Sequence, residues 1–174
     1  MRCFLAIPYR PDPVVKDIMR TVEEKYGKNA KISRSEDMHI TIEFFEDITE
    51  GMAADIWNSL NINAFMNSTL SIMGLSHFPE GKKARVLVMT VDANKLLNRN
   101  QELYQNDRYR WNRKNFKPHL TICRFRTPVY VSDLENMYEY INIPLAPVKE
   151  IVFMKSVLNN EGPIYSIFRK AQLI

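Results

Sequence analysis

Met38-His39-Ile40-Thr41-Ile42-Glu43-Phe44-Phe45 and Pro118-His119-Leu120-Thr121-Ile122-Cys123-Arg124 decide how this chain is read. Both stretches are rich in β-branched and aromatic residues and alternate polar with apolar, the pattern of a half-buried strand. Residues two apart in a strand share a face, so His39 and Thr41 point one way while Ile40 and Ile42 point the other. His119 and Thr121 repeat the arrangement. Two of the three histidines stand two residues before a threonine, although the chain holds only seven threonines. The flanks echo one another too: Arg34-Ser35-Glu36-Asp37 leads into the first motif and Arg113-Lys114-Asn115-Phe116-Lys117-Pro118 into the second. The copies lie close to half the chain apart, as two similar lobes meeting at one cleft would require.

Outward from these motifs, strands and helices alternate. Arg2 to Pro8 is a compact apolar strand. Asp12-Pro13 supplies a helix cap followed by proline in the first turn, and Val14, Val15, Ile18, Met19 and Val22 recur at helical spacing until Gly27 ends the run near Tyr26. The pattern predicts helices over Glu50 to about Phe65, Asn94 to Asn106 and Val131 to Ile141, the last capped by Ser132. Strands are predicted at Ser68–Leu75 and Ala84–Val91, an antiparallel pair joined by a loop containing Phe78-Pro79, and at His119 to about Phe125. Two more, Val148–Leu158 and Ile164–Arg169, surround the turn Asn159-Asn160-Glu161-Gly162-Pro163. The expected class is α+β. No linker or low-complexity tract divides the chain, so residues 1–174 read as one domain of two interleaved lobes.

Composition sets the bounds. With 174 residues, 45% hydrophobic and 25% charged, the chain carries enough apolar surface for a core and is neither disordered nor fibrous. No apolar run approaches the roughly 20 residues needed to span a bilayer, and the opening lacks the long apolar region of a secretion signal. A cytoplasmic protein without membrane partners is expected. Cys3 and Cys123 have no C-x-x-C spacing and are expected to be reduced and packed. The formal net charge of +4 says less than its distribution. Between Asp107 and Arg126, seven basic residues follow the single acid, interleaved with Tyr109, Trp111, Phe116 and Phe125. That mixture suits phosphates and bases together, and equally a solvated loop with its aromatics turned inward.

The paired motifs carry a definite chemistry. Two imidazoles titrating near pH 6.5 can serve as general base and general acid in one step, while two hydroxyls donate to non-bridging oxygens. In-line attack on a phosphodiester needs this set: the nucleophile loses a proton on one side of phosphorus as the leaving oxygen gains one on the other. A lone His-x-Thr strand is more simply a satisfied polar residue on a half-buried surface; two matched copies with apolar flanks favour the chemical reading. Metal binding fares poorly, with no H-E-x-x-H or C-x-x-C and only Glu43 at a conceivable spacing. His77 has no threonine partner and is expected to be exposed.

At these residues the sequence resembles the two-histidine phosphoesterase superfamily, and within it the LigT-type RNA 2′,3′-cyclic phosphodiesterases, also called 2′-5′ RNA ligases. The resemblance covers nearly the whole chain. It takes in Met1 to Ile7, the first motif with Phe44, Phe78-Pro79, Ala84-Arg85-Val86-Leu87, the second motif through Arg124, and Ser156-Val157-Leu158 to Gly162-Pro163-Ile164-Tyr165. It implies a bilobal fold with pseudo-two-fold symmetry, antiparallel sheets flanked by helices, and a central cleft lined by both motifs. It further implies that His39 protonates the leaving ribose oxygen, that His119 activates water, and that Thr41 and Thr121 hold the phosphate. No metal, nucleotide or other cofactor is implied. Arg124, on the His119/Thr121 face with one intervening position, stands where the family usually carries arginine to neutralise the phosphate. Phe44 and Phe116 are candidates to stack on a base, and Arg85 to contact RNA. Two departures, Glu43-Phe44-Phe45-Glu46 where the family commonly has Lys-Phe-Leu-Gly and Val88 where it has Trp, bear on substrate rather than reaction class.

The resemblance thus implies an enzyme acting on RNA with a 2′,3′-cyclic phosphate end, tRNA fragments included, with ATP-independent 2′-5′ ligation as the reverse reaction in some members; a monomer is expected, although the sequence itself is silent on oligomeric state. Linear 2′-5′ oligonucleotides, ADP-ribose cyclic phosphate, or a non-catalytic RNA-binding role stand as the alternatives.

Overall fold

The computed structural model of the chain describes residues 1–65, 68–93 and 117–173. Strand β1 (Arg2–Pro8) has five consecutive buried residues, as a strand covered on both faces must. Helix α1 (Pro13–Tyr26) starts where Asp12 accepts a hydrogen bond from the Val15 amide at 3.0 Å, and ends at Gly27 with φ 51°. It buries Val15, Ile18, Met19 and Val22 and leaves Val14 exposed. There follow β2 (Ala30–Ile32), β3 (His39–Phe45), α2 (Glu50–Ser59), β4 (Ser71–Phe78), β5 (Ala84–Asp92), β6 (His119–Val129), α3 (Ser132–Met137), β7 (Ile143–Pro144), β8 (Glu150–Asn159) and β9 (Gly162–Gln172).

All described pairings are antiparallel, and they run β7-β4-β5-β6-β3-β1-β8-β9 in one open sheet, with β2 added to β6. The antiparallel sheets expected for the two lobes are continuous with one another. Ile40 pairs with Leu120 and Thr41 with His119, and this short contact between β3 and β6 joins the halves into one sheet. The order is symmetric about that contact, four strands on each side. The registers match as well: Pro8, Ile7 and Ala6 face His39, Ile40 and Thr41 as Thr90, Met89 and Val88 face His119, Leu120 and Thr121. Behind the sheet, Cys3, Leu5, Ile7, Ile40, Ile122, Leu87 and Met89 share one core with α1 and α2.

Several boundaries differ from the sequence reading. Helix α2 stops at Ser59, whose hydroxyl donates to the Ile56 carbonyl at 2.7 Å, and a 3-10 turn covers Ile62–Phe65. The asparagines that follow are weak helix formers. Strand β4 runs three residues later than predicted, through Phe78, because its ladder with β5 pairs Phe78 with Val86. Helix α3 is shorter than expected, and Ser132 lies inside it instead of capping it. Strands β2 and β7, of three and two residues, are too short to show periodicity. The helix predicted at Asn94–Asn106 lies outside the described residues. Both cysteines are free and buried, and burial pushes the Cys123 thiol up to about 12. No helix among the described residues is long and apolar enough to cross a membrane.

Leu120 is fully buried where the two halves join. Leu120→Ala is therefore expected to lower stability by about 2–5 kcal/mol in urea unfolding, whereas the same truncation at exposed Val157 should change it by less than about 0.5 kcal/mol.

Candidate active site

Both motif histidines open their strands, and the same backbone contact holds each. His39 Nδ1 donates to the Asp37 carbonyl at 2.8 Å, and His119 Nδ1 to the Lys117 carbonyl at 2.6 Å. A carbonyl only accepts, so each neutral ring carries its proton on Nδ1 and leaves the Nε2 lone pair free. Thr41 stands directly across from His119, and the same register sets His39 across from Thr121. A cavity of about 270 Å³ lies over this patch, and all four residues line it. Neither threonine hydroxyl has a partner among the described residues.

A second feature repeats between the motifs. The ladder skips from Thr41 to Glu43 between Ala6 and Leu5, and from Thr121 to Cys123 between Val88 and Leu87. Ile42 and Ile122 are the extra residues of two matching bulges. A bulge reverses the alternation beyond it, so the fifth residue after each histidine returns to the cleft face. Those residues are Phe44 and Arg124, and both line the cavity. Strict alternation would have sent them to the opposite face, so the expected placement of Arg124 beside His119 and Thr121 comes about only through the bulge, which supplies the intervening position.

The cleft's two sides therefore share a backbone and differ in chemistry. Around His39 stand Phe4, stacked at 4.8 Å, and Tyr165, edge-on at 5.4 Å. Phe44 lies parallel to Phe4 at 6.1 Å and is 47% exposed, an open aromatic face at the rim. Around His119 stand Phe78, edge-on at 5.2 Å, and Lys117, whose ammonium sits 2.6 Å from Glu80. Arg124 is exposed and has no ion pair among the described residues.

Burial pushes both imidazoles below the ordinary histidine value of 6.5. The carbonyl hydrogen bonds oppose the shift. The positive charge of Arg124 adds to it for both rings, and that of His119 adds to it for His39. An anion seated between the rings would offset the penalty.

The remaining predicted residues divide. Arg85 is exposed on β5 and is not among the residues lining the cleft. Phe116 lies outside the described residues, as does most of the basic and aromatic segment before it; Phe125, from the same segment, is 7% exposed and packs edge-on against Tyr26. Of the two departing glutamates, Glu43 lines the cleft and Glu46 is paired with Arg2 at 2.7 Å. His77 is corrected: its side chain is 19% exposed, one ring nitrogen bonds Glu135 on α3, and Nε2 bonds the Lys82 carbonyl at 2.9 Å. Sequence reasoning missed Phe4, Phe78, Lys117 and Tyr165, because their places in the cleft depend on which strands become neighbours. Among the described residues no three His, Cys, Asp or Glu side chains stand together as a metal would need.

The family model described as LigT like Phosphoesterase matches residues 7–88. The chain is 32% identical over 148 residues, 79% of each protein, to the RNA 2′,3′-cyclic phosphodiesterase of Aquifex aeolicus. It is 27% identical over 180 residues, 98% of this chain and 99% of the relative, to that of Methanocaldococcus jannaschii. In three dimensions it is similar to a Thermus thermophilus protein, TT0787, with a TM-score of 0.68 at 20% identity over 99% of this chain and 98% of that one.

Nitrogen-detected NMR should find both imidazoles as Nδ1–H tautomers with midpoints below 6.5. Their contribution to stability follows in sign: it is complete above the unfolded-state pKa and is lost as pH falls through that value toward the depressed folded ones.

Proposed function

The chain belongs to the LigT-like phosphoesterase family, and we propose that it hydrolyses 2′,3′-cyclic phosphate ends of RNA to 2′-phosphates by acid–base catalysis between His39 and His119. The observation that carries this reading is the pairing of two His-x-Thr strand starts, each imidazole held at Nδ1 with Nε2 free toward one cavity. The reaction named for the relatives from Aquifex aeolicus and Methanocaldococcus jannaschii is one that such an arrangement serves.

In the step we propose, a water oxygen attacks phosphorus and its proton passes to Nε2 of neutral His119. The bond from phosphorus to the ribose 3′-oxygen breaks on the far side. His39, in its imidazolium form, gives its Nε2 proton to that oxygen. The product is a 2′-phosphate with a free 3′-hydroxyl, and the two rings have exchanged one proton, which solvent restores. Thr41 and Thr121 donate to the non-bridging oxygens, and Arg124 offsets the charge that grows on them.

The asymmetry of the cleft supports the assignment of roles. Exposed Phe44 and half-buried Tyr165 gather on the His39 side around the buried ring of Phe4, where a nucleoside finds a stacking surface. The leaving oxygen belongs to that nucleoside, so the donor stands beside it and water enters from the Lys117 side. With a 5′-hydroxyl in place of water, the same two proton transfers yield a 2′-5′ linkage. No metal or nucleotide takes part.

A short RNA with a 2′,3′-cyclic phosphate end, incubated with the protein in EDTA, should yield the 2′-phosphate with a bell-shaped pH profile of kcat/KM. Because both free-enzyme imidazoles lie below 6.5, the optimum should lie on the acid side of that value. His39→Ala and His119→Ala should each lose about 10²- to 10⁴-fold in rate with the fold intact by circular dichroism. Full activity in both variants, or a 3′-phosphate product, would overturn the reading.

A further inference from the structure

A second cavity, about 410 Å³, opens directly off the catalytic cleft, and Arg124 and Tyr165 line both. Its walls are β2 on one side and the tip of the β8–β9 hairpin on the other. Lys31 and Arg124 are direct cross-strand partners in the β2–β6 ladder, which brings two cationic side chains side by side on one face. Lys31 Nζ reaches over the groove to the main-chain carbonyl of Glu161, and neither cation has a carboxylate partner among the described residues. Arg34, also in the wall, is already paired with Glu36 and Asp37. The groove is therefore cationic at the Lys31–Arg124 pair, while the carboxylates of Asp37 and Glu161 line it elsewhere. At that pair it meets the site where the terminal phosphate reacts.

We propose that this groove is a second binding site, for the phosphodiester that links the terminal nucleotide to its 5′ neighbour, with Lys31 as its principal ligand; the inference rests on the reading of the cleft as a cyclic phosphodiesterase site. In this arrangement a nucleotide stacked beside His39 is placed with its 5′ side toward Tyr165, a residue that lines both cavities. The next phosphate then falls within reach of Lys31, which exchanges a neutral carbonyl for an anion. The carboxylates in the walls favour one phosphate at the cationic pair over a broad polyanion surface. The protein accordingly discriminates an RNA end from a free cyclic mononucleotide.

The test compares a cyclic mononucleotide with a trinucleotide ending in the same cyclic phosphate. The wild-type protein should favour the trinucleotide. Lys31→Ala and Lys31→Gln should each lower the trinucleotide-to-mononucleotide ratio of kcat/KM about tenfold, through KM, while Lys31→Arg holds it. The Gln variant keeps a donor for the Glu161 carbonyl, so a loss in Lys31→Ala alone would mean that Lys31 only supports the hairpin, and would overturn the proposal. An unchanged ratio in both would overturn it too. Fluorescence anisotropy of a 2′-phosphate-ended trinucleotide needs no turnover: its affinity should fall about tenfold in Lys31→Gln, with a shallower salt dependence. Loss of turnover on both substrates with this difference in binding intact would instead count against the catalytic reading.

Discussion

Two residue pairs, Ile40 with Leu120 and Thr41 with His119, join the halves of this molecule, and the geometry of the cleft follows from how short that ladder is. Strands β3 and β6 overlap only where they begin and then run outward in opposite directions, β6 pairing further along with β2 while β3 stays paired with β1 on its other edge. The first residues of both strands therefore meet at the centre of the sheet, and each motif begins with its histidine. Ile40 and Leu120 are fully buried beneath the contact. A slip of one residue in either strand would turn its imidazole into the core and its aliphatic side chain into the cleft, so burial itself enforces the register.

The matching bulges at Ile42 and Ile122 extend this constraint. Both bulge residues are buried, so the irregularity belongs to the core and is not a loosened edge. Its effect is to return the fifth residue after each histidine to the cleft. One half presents a phenylalanine there and the other an arginine. A two-fold backbone thus supplies equivalent imidazoles, while single side-chain differences supply the asymmetry, which on the proposed reading gives an aromatic surface for the nucleoside and a cation for the phosphate.

The electrostatics point the same way. Burial and the charge of Arg124 depress both imidazoles, so the cleft by itself disfavours the positive charge that the donor ring carries in the proposed reaction. A bound phosphate anion removes that penalty. In the proposed reaction, substrate binding and the protonation of the donor are therefore linked, and the hydrogen bonds from Nδ1 to the Asp37 and Lys117 carbonyls leave each Nε2 available in either state.

Much of this was legible in the amino-acid order. A compact apolar run marked β1, alternation marked β3 and β6, the Asp12-Pro13 signal placed α1, and the repeated His-x-Thr pattern named four residues that the fold brings to one cavity, because period-two side-chain placement is a local property of a strand. Local rules could not decide which strands become neighbours. The single sheet, the opposition of Thr41 to His119, and the presence of Phe4, Phe78, Lys117 and Tyr165 around the imidazoles all depend on contacts between residues far apart in the chain. Arg124 and Phe44 show the division most clearly. Their residue types are written in the sequence, but the face they occupy was set by a one-residue bulge, which exists only where two ladders of unequal count are hydrogen-bonded together.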